Sequence, residues 1–300
     1  MLVVMYHYVR NNSAEYPNFK NLTVDKFRKQ IDLFENLYGF MTKEEFIRSI
    51  EEGGPTKKGV VLTFDDGFKD HYCNVLPILQ ERNLWGIFYV PTGHYKDKKI
   101  LNVHRLHHLL GKYDAKLLLG DILKTIDASM LNEDKIYEFD KEIYKDQELG
   151  EFEFLFKRLF NYYLHDRYKT SALNEVFRKF LNEEEIYDKL YLTNEELIEM
   201  EKCGSIVGSH TMTHPVLSTL DYIQQEKEIK ESYAYLNSFL KMRLKSFCYP
   251  YGGPATYNQD TFRILKENDV HHAFIVGNKP LDSVDNRYAL TRVDCNRFAV

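Results

Sequence analysis

Gly59-Val60-Val61-Leu62-Thr63-Phe64-Asp65-Asp66-Gly67 is an apolar, β-branched run that stops on two carboxylates and a glycine. Such a run reads as a buried strand, and the glycine ends it in a turn. Adjacent residues on an extended chain face opposite ways, so Asp65 and Asp66 can take different partners at the strand end. Carboxylates beside a buried strand cost desolvation energy unless a metal ion or hydrogen bonds compensate. Taken alone, the pair is equally compatible with a solvated Asp-Asp-Gly turn.

Outward from this run the same pattern recurs. Leu2–Tyr6, Trp85–Val90, Ser205–Ser209, Ser246–Tyr249 and Ala273–Val276 are further candidate strands, alternating with helical patterns. That alternation predicts parallel strands joined by helical crossovers. Thr23 caps a helix carrying Phe27, Ile31 and Phe34 on one face. Thr42 with Glu45, and Thr193 with Glu196, match the capping box, and Gly204 stops the helix begun near Thr193. From about residue 100 to 191 the alternation fails: charge and aromatics dominate at helical spacing, with no clear strand. This stretch reads as a helical insertion in a single domain spanning 1–300. Its aromatics either pack among themselves or form part of a lid over the site.

The bulk numbers bound the possibilities. A chain of 300 residues, 44% hydrophobic and 14% aromatic, is long enough to bury a large core. A net charge of −5 gives no overall attraction to nucleic acid or anionic lipid, so a neutral or small substrate is expected. Met1–Tyr8 lacks the features of a signal peptide, and no run approaches the roughly 20 apolar residues of a membrane span. Cys73, Cys203, Cys248 and Cys295 form no Cys-x-x-Cys pair. A reduced, cytoplasmic protein of open oligomeric state is the expectation.

Ser209-His210-Thr211-Met212-Thr213-His214 follows another apolar strand and precedes Pro215. Two histidines four apart converge on one ion if the segment curls, and imidazole with carboxylate suits zinc and similar divalent metals. Joined to an Asp-Asp pair on another strand end, they make three protein ligands and an open position, the catalytic arrangement of zinc.

Thr63–Gly67 and Ser209–His214, in this order, resemble the first two motifs of the polysaccharide deacetylases with a NodB-type domain, carbohydrate esterase family 4. The resemblance covers roughly residues 1–93 and 192–300. It implies a distorted (β/α) barrel of about seven parallel strands with its site at the C-terminal strand ends. It also implies a role for each motif residue: Asp65 as general base, and Asp66, His210 and His214 as ligands of a divalent ion, zinc first, cobalt or nickel as alternatives.

Phe247–Gly252 resembles the third motif but departs from it, with Cys248 where the family places the arginine that steers the catalytic aspartate. Cys248 is either a small buried residue or a reactive thiol. The backbone amide of Tyr251 is expected to face the developing oxyanion. Arg292, in Leu290–Asp294, resembles an arginine in relatives with this type of third motif and is expected to supply the missing charge. The alternative is a surface arginine. No C-terminal Leu-x-x-His motif is recognisable, which leaves His7 and His107 as candidates for the general acid, each with a structural role as its alternative. Met5–Val9 also looks like the opening of deacetylases that accompany surface-glycan biosynthesis. The expected activity is removal of N-acetyl groups from a sugar or glycan intermediate. Its rivals are a metal-dependent esterase or amidase on a non-sugar substrate, and an inactive glycan-binding protein on the same fold.

Overall fold

Side chains alternate along each strand between the two sides of a closed sheet, and that sorting organises the molecule. The computed structural model describes residues 1–132 and 150–300. Among these the strands are β1 (Leu2–Tyr6), β2 (Gly54–Pro55), β3 (Val60–Phe64), β4 (Gly86–Val90), β5 (Ile206–Ser209), β6 (Ser246–Cys248), β7 (His272–Gly277), β8 (Ser283–Val284) and β9 (Leu290–Asp294). All but β2 and β8 close into a parallel barrel in the order β1-β3-β4-β5-β6-β7-β9. β9 pairs with both β7 and β1 and completes the ring. The distorted (β/α) barrel is therefore the fold of the chain. β2 and β8 form a separate antiparallel ribbon.

One set of strand residues faces outward and packs under helices. Val4, Tyr6, Leu62, Phe64, Phe88, Val90, Val207 and Phe247 share a core with Phe27, Ile31 and Phe34 of helix Val24–Leu37 and with Ile229 and Leu236 of helix Tyr222–Asn237. The alternate set, including Val3, Val61, Ile87, Tyr89, Cys248, Phe274 and Leu290, fills the barrel interior. Phe46 and Ile50 of helix Lys43–Glu52 pack onto this second set together with Met1, Leu281 and Val284.

The helix signals act as the sequence reading has them. The Thr23 hydroxyl accepts from the Lys26 amide, and Thr42 and Thr193 form capping boxes with Glu45 and Glu196. Gly204, at φ 92°, turns the chain out of helix Asn194–Lys202 toward β5. β9 is absent from the candidate strands because Arg292 and Asp294 interrupt its apolar pattern.

A second compact unit comprises residues 12–20 and 99–188. Its described helices include Asn102–Lys112, Ala115–Ile122, Glu151–Arg158 and Asp166–Phe180. The buried Arg105 anchors it, donating from Nη1 to Asn174 at 2.6 Å and from Nε and Nη2 to Oε1 of Glu183. Residues 133–149 of the expected helical insertion lie outside the described residues. Among the described residues no helix is long and apolar enough to cross a membrane.

Candidate active site

Asp65 prolongs β3 by one residue, its amide donating to the Tyr6 carbonyl of β1 at 2.9 Å. Its side chain follows Val61 and Thr63 onto the interior side. Two residues after the inward Leu290, Arg292 of β9 points into the same space and is only 1% exposed. The two meet as a fork: Nη1 lies 2.7 Å from Oδ1 of Asp65, and Nη2 lies 2.7 Å from Oδ2. Nη1 also donates to the Thr63 hydroxyl at 3.0 Å, which in turn donates to the Val4 carbonyl at 2.9 Å. Nη2 reaches the Cys248 sulfur at 2.8 Å. The rings of Tyr89 and Phe274 lie 5.5 and 5.8 Å from the guanidinium carbon, within cation–π range.

These contacts decide the charge states. Burial pushes the Asp65 carboxyl up, but the charge and hydrogen bonds of Arg292, with help from His210 and His7, outweigh it and hold the group at about 2. Asp65 is thus a carboxylate at neutral pH. Burial drives the Cys248 thiol well above its ordinary range, although Arg292 opposes it. The thiol is therefore neutral, and its small volume admits a guanidinium arriving from β9.

Asp66 turns the other way. With φ at 78° it takes a left-handed backbone, followed by Gly67 at 63°, and the chain leaves β3 abruptly. Its Oδ1 lies 3.7 Å from Nε2 of His210 and 3.5 Å from Nε2 of His214. His210 follows β5 directly and donates from Nδ1 to the Cys248 carbonyl at 2.8 Å, so its Nε2 lone pair faces Asp66. Burial lowers the pKa of His210 and favours the neutral ring that a metal needs.

The three donors fit a divalent cation. Ligands about 2.1 Å from a tetrahedral ion stand roughly 3.4 Å apart, close to the spacing here and long for hydrogen bonds. One carboxylate oxygen and two imidazole nitrogens also form a donor set typical of zinc. Asp65, His210 and Cys248 make a second group of converging donors. It is the poorer holder, because Arg292 engages both oxygens of Asp65 and the thiol keeps its proton.

The other sequence-predicted residues fall as follows. The ring of Tyr251 packs edge-on against His214, with centroids 4.9 Å apart. Its backbone sits at φ 62° in a three-residue turn closed by the Gly252 amide on the Pro250 carbonyl at 2.7 Å. His7, just past β1, brings Nε2 to 4.0 Å from Oδ2 of Asp65, with its side chain 41% exposed. His107 belongs to the second unit, half-buried on helix Asn102–Lys112, and the barrel unit supplies the residues of this cluster.

Several contributors carry no local signal. Tyr89 and Phe274 read as ordinary strand residues, and His71 stands without a motif. The buried His71 donates from Nε2 to the His7 carbonyl at 2.8 Å and lies on a π-helical turn, His71–Val75, just after the two aspartates. Such turns recur near functional sites. Glu228 lies on helix Tyr222–Asn237, where its partners become visible only in three dimensions.

Comparison with known proteins places the chain in a family. The family model for polysaccharide deacetylase matches residues 52–126 and 166–276, more than half of the chain. A poly-β-1,6-N-acetyl-D-glucosamine N-deacetylase of Escherichia coli K12 is 33% identical over 99 residues, 32% of this chain and 14% of the relative. The match thus spans only a small part of that relative's length. Among solved structures, the Streptococcus pyogenes deacetylase PplD superposes with a TM-score of 0.59 at 20% identity, covering 98% of this chain and 91% of that one. IcaB from Ammonifex degensii gives 0.58 at 18% identity, covering 97% and 90%. At those identities the likeness is one of fold. The matched ranges take in Asp65, Asp66, His210, His214 and Tyr251 and leave out His7 and Arg292, and because they cover more than half of the sequence, the chain belongs to the polysaccharide deacetylases.

Proposed function

We propose that this protein is a metal-dependent N-deacetylase that hydrolyses the N-acetyl group of a saccharide, releasing acetate and a free amino sugar. The observation that carries the reading is the convergence of Asp66, His210 and His214 beside a carboxylate that Arg292 keeps ionised. Those three residues hold the ion, zinc first, with cobalt and nickel as alternatives. The bound cation supplies a Lewis acid for the amide carbonyl and for the attacking water.

The chain's own groups do the rest. Asp65, a carboxylate fixed by the Arg292 fork, takes the proton from the attacking water. The Tyr251 amide donates to the oxyanion as the carbonyl carbon becomes tetrahedral. His7, beside Asp65 and partly open to solvent, protonates the departing nitrogen as the C–N bond breaks. The Escherichia coli relative points to a glycan containing N-acetylglucosamine as the substrate class, and the opening around His7 supports a role in glycan biosynthesis.

The test is acetate release from N-acetylglucosamine oligomers, lipid-linked N-acetyl sugars and non-sugar acetamides and acetate esters, with chelator and with restored metal. Metal-dependent acetate from the saccharides supports the reading. Turnover confined to the non-sugar compounds, or saccharide binding with no acetate under any metal, overturns it.

A further inference from the structure

The segment that carries His210 and His214 is strained and externally held. Thr211 and His214 have φ of 64° and 58°, a left-handed conformation unfavourable for residues with a Cβ. His214 is itself one of the three converging donors, so its imidazole is aimed by a backbone that the local sequence does not favour. Such outliers persist only where the surroundings over-determine them.

Part of that constraint is internal: Ser209 Oγ accepts from the Thr211 amide at 3.2 Å, and Thr211 Oγ1 accepts from the His214 amide at 3.1 Å. Another part comes from the segment after β4, where the amides of Thr92 and Gly93 donate to the carbonyls of Thr211 and Met212. A Cβ at Gly93 would stand 2.8 Å from the Met212 oxygen, so this approach requires glycine.

The remaining clamp is a single carboxylate. Glu228, half-buried on helix Tyr222–Asn237, accepts at Oε2 from the Met212 amide at 2.9 Å and the Thr213 amide at 2.8 Å. Its Oε1 accepts from the Thr213 hydroxyl at 2.7 Å. One helical turn on, Ser232 meets Ser209 at 2.8 Å between hydroxyls, so the same helix face grips both the strand end and the loop beyond it. Three donors on one carboxylate, all from Met212 and Thr213 of the short stretch between the histidines, exceed what an exposed helical glutamate needs.

We infer that Glu228 is a positioning residue for the metal-binding turn, holding Met212 and Thr213 so that His210 and His214 present their Nε2 atoms to the same point. The inference rests on the proposed metal site and deepens it. Glu228 touches neither the ion nor the substrate. Its contribution passes through the main chain, and removing it lets the turn relax toward ordinary backbone angles, with His214 swinging out of register.

Zinc affinity, measured by competition with a chromophoric chelator, tests this alongside the visible absorption of the cobalt-loaded protein. Glu228→Ala is expected to weaken zinc binding by about 10–100-fold, the range for outer-shell partners of metal ligands, and to alter the cobalt spectrum. Glu228→Gln is expected to restore affinity to within about threefold, because its amide oxygen can accept both main-chain N–H groups and its NH2 can serve the Thr213 hydroxyl. Wild-type affinity in Glu228→Ala, or a Glu228→Gln no better than Glu228→Ala, overturns the inference. If Glu228→Ala does not fold, Thr213→Val removes one of the three bonds and should still weaken zinc binding severalfold; unchanged affinity there overturns it equally. A wild-type protein that binds no ion overturns the metal site itself, an outcome distinct from a wild-type site indifferent to Glu228.

Discussion

The carbonyl oxygen of Cys248 accepts a hydrogen bond from Nδ1 of His210 at 2.8 Å. A carbonyl has no proton to give, so the neutral imidazole carries its proton on Nδ1 and offers Nε2 to the same space as Asp66 and His214. Cys248 thus serves the site through its main chain, which any residue supplies, while its side chain makes room for Arg292. Replacing the Cys248 side chain by a smaller one should therefore leave the orientation of His210 intact.

Asp66→Ala, His210→Ala and His214→Ala should each weaken zinc binding by more than about 100-fold, beyond the usual effect of outer-shell changes. Elemental analysis after dialysis measures the loss. Anomalous diffraction from zinc-, cobalt- or nickel-loaded protein should locate one ion within about 2.5 Å of all three residues, and an ion elsewhere refutes the assignment.

Asp65→Asn should cut turnover by about 10²–10⁴-fold while metal content stays at the wild-type level. Loss of metal in parallel would make Asp65 a ligand instead. Because the variant leaves Arg292 buried with a neutral partner, its thermal midpoint should also fall.

Arg292→Ala should lower turnover and shift the acidic limb of the pH–rate profile upward. The sign follows from the opposing effects at Asp65: burial raises its pKa, Arg292 does most to bring it down to about 2, and with the guanidinium gone only the smaller pulls of His210 and His7 oppose burial. Asp65 must be ionised to accept a proton, so activity then fails at a higher pH. Arg292→Lys keeps the charge but not the fork and should fall between the two. An acidic limb unmoved in Arg292→Ala would refute the coupling.

Cys248→Ala should keep turnover within about threefold, since a neutral buried thiol acts mainly as packing. Cys248→Arg, which would bring a second guanidinium to the same point, should instead destabilise the fold because Arg292 already occupies that space. Chemical denaturation of the two variants separates these outcomes, and a stable, active Cys248→Arg protein would contradict the description of the interior.

Burial lowers the pKa of His71 from 6.5 to about 4, so the folded protein holds this ring neutral while the unfolded chain protonates it. A depressed folded-state pKa gives stability that is complete above the unfolded value and drains away as pH falls toward the folded one. Urea midpoints should therefore decline from pH 7 to pH 4, with up to roughly 3 kcal/mol attributable to this residue. His71→Gln should flatten that decline, and an equally steep slope in the variant would refute the assignment.

Much of the architecture was legible because apolar runs and capping boxes are local. Thr42, Thr193 and Gly204 act as their immediate neighbours predict, and both motif pairs stand at strand ends. β9 escaped because a buried arginine makes a core strand look like a polar edge, and the partner that neutralises it lies 227 positions away. The arginine itself was visible through the family resemblance. Glu228, Phe274 and Tyr89 were not, since a glutamate on a helix or an aromatic residue in a strand has many ordinary uses and only the folded chain selects one.

β1 lies between β3 and β9, and the Asp65–Arg292 pair therefore bridges the seam where the first and last strands of the ring meet. A partly folded chain that packed β3 without β9 would bury a lone carboxylate, and one that packed β9 first would bury a lone guanidinium. Each stranded charge costs several kcal/mol, which makes both half-closed forms scarce. Assembly of the ring is thereby pushed toward a single cooperative step, in which Asp65 acquires its ionised form at the moment the barrel shuts. A chain arrested short of that moment would be poor in stability and silent in catalysis together, so recovery of activity during refolding should track closure of this seam rather than the growth of helix.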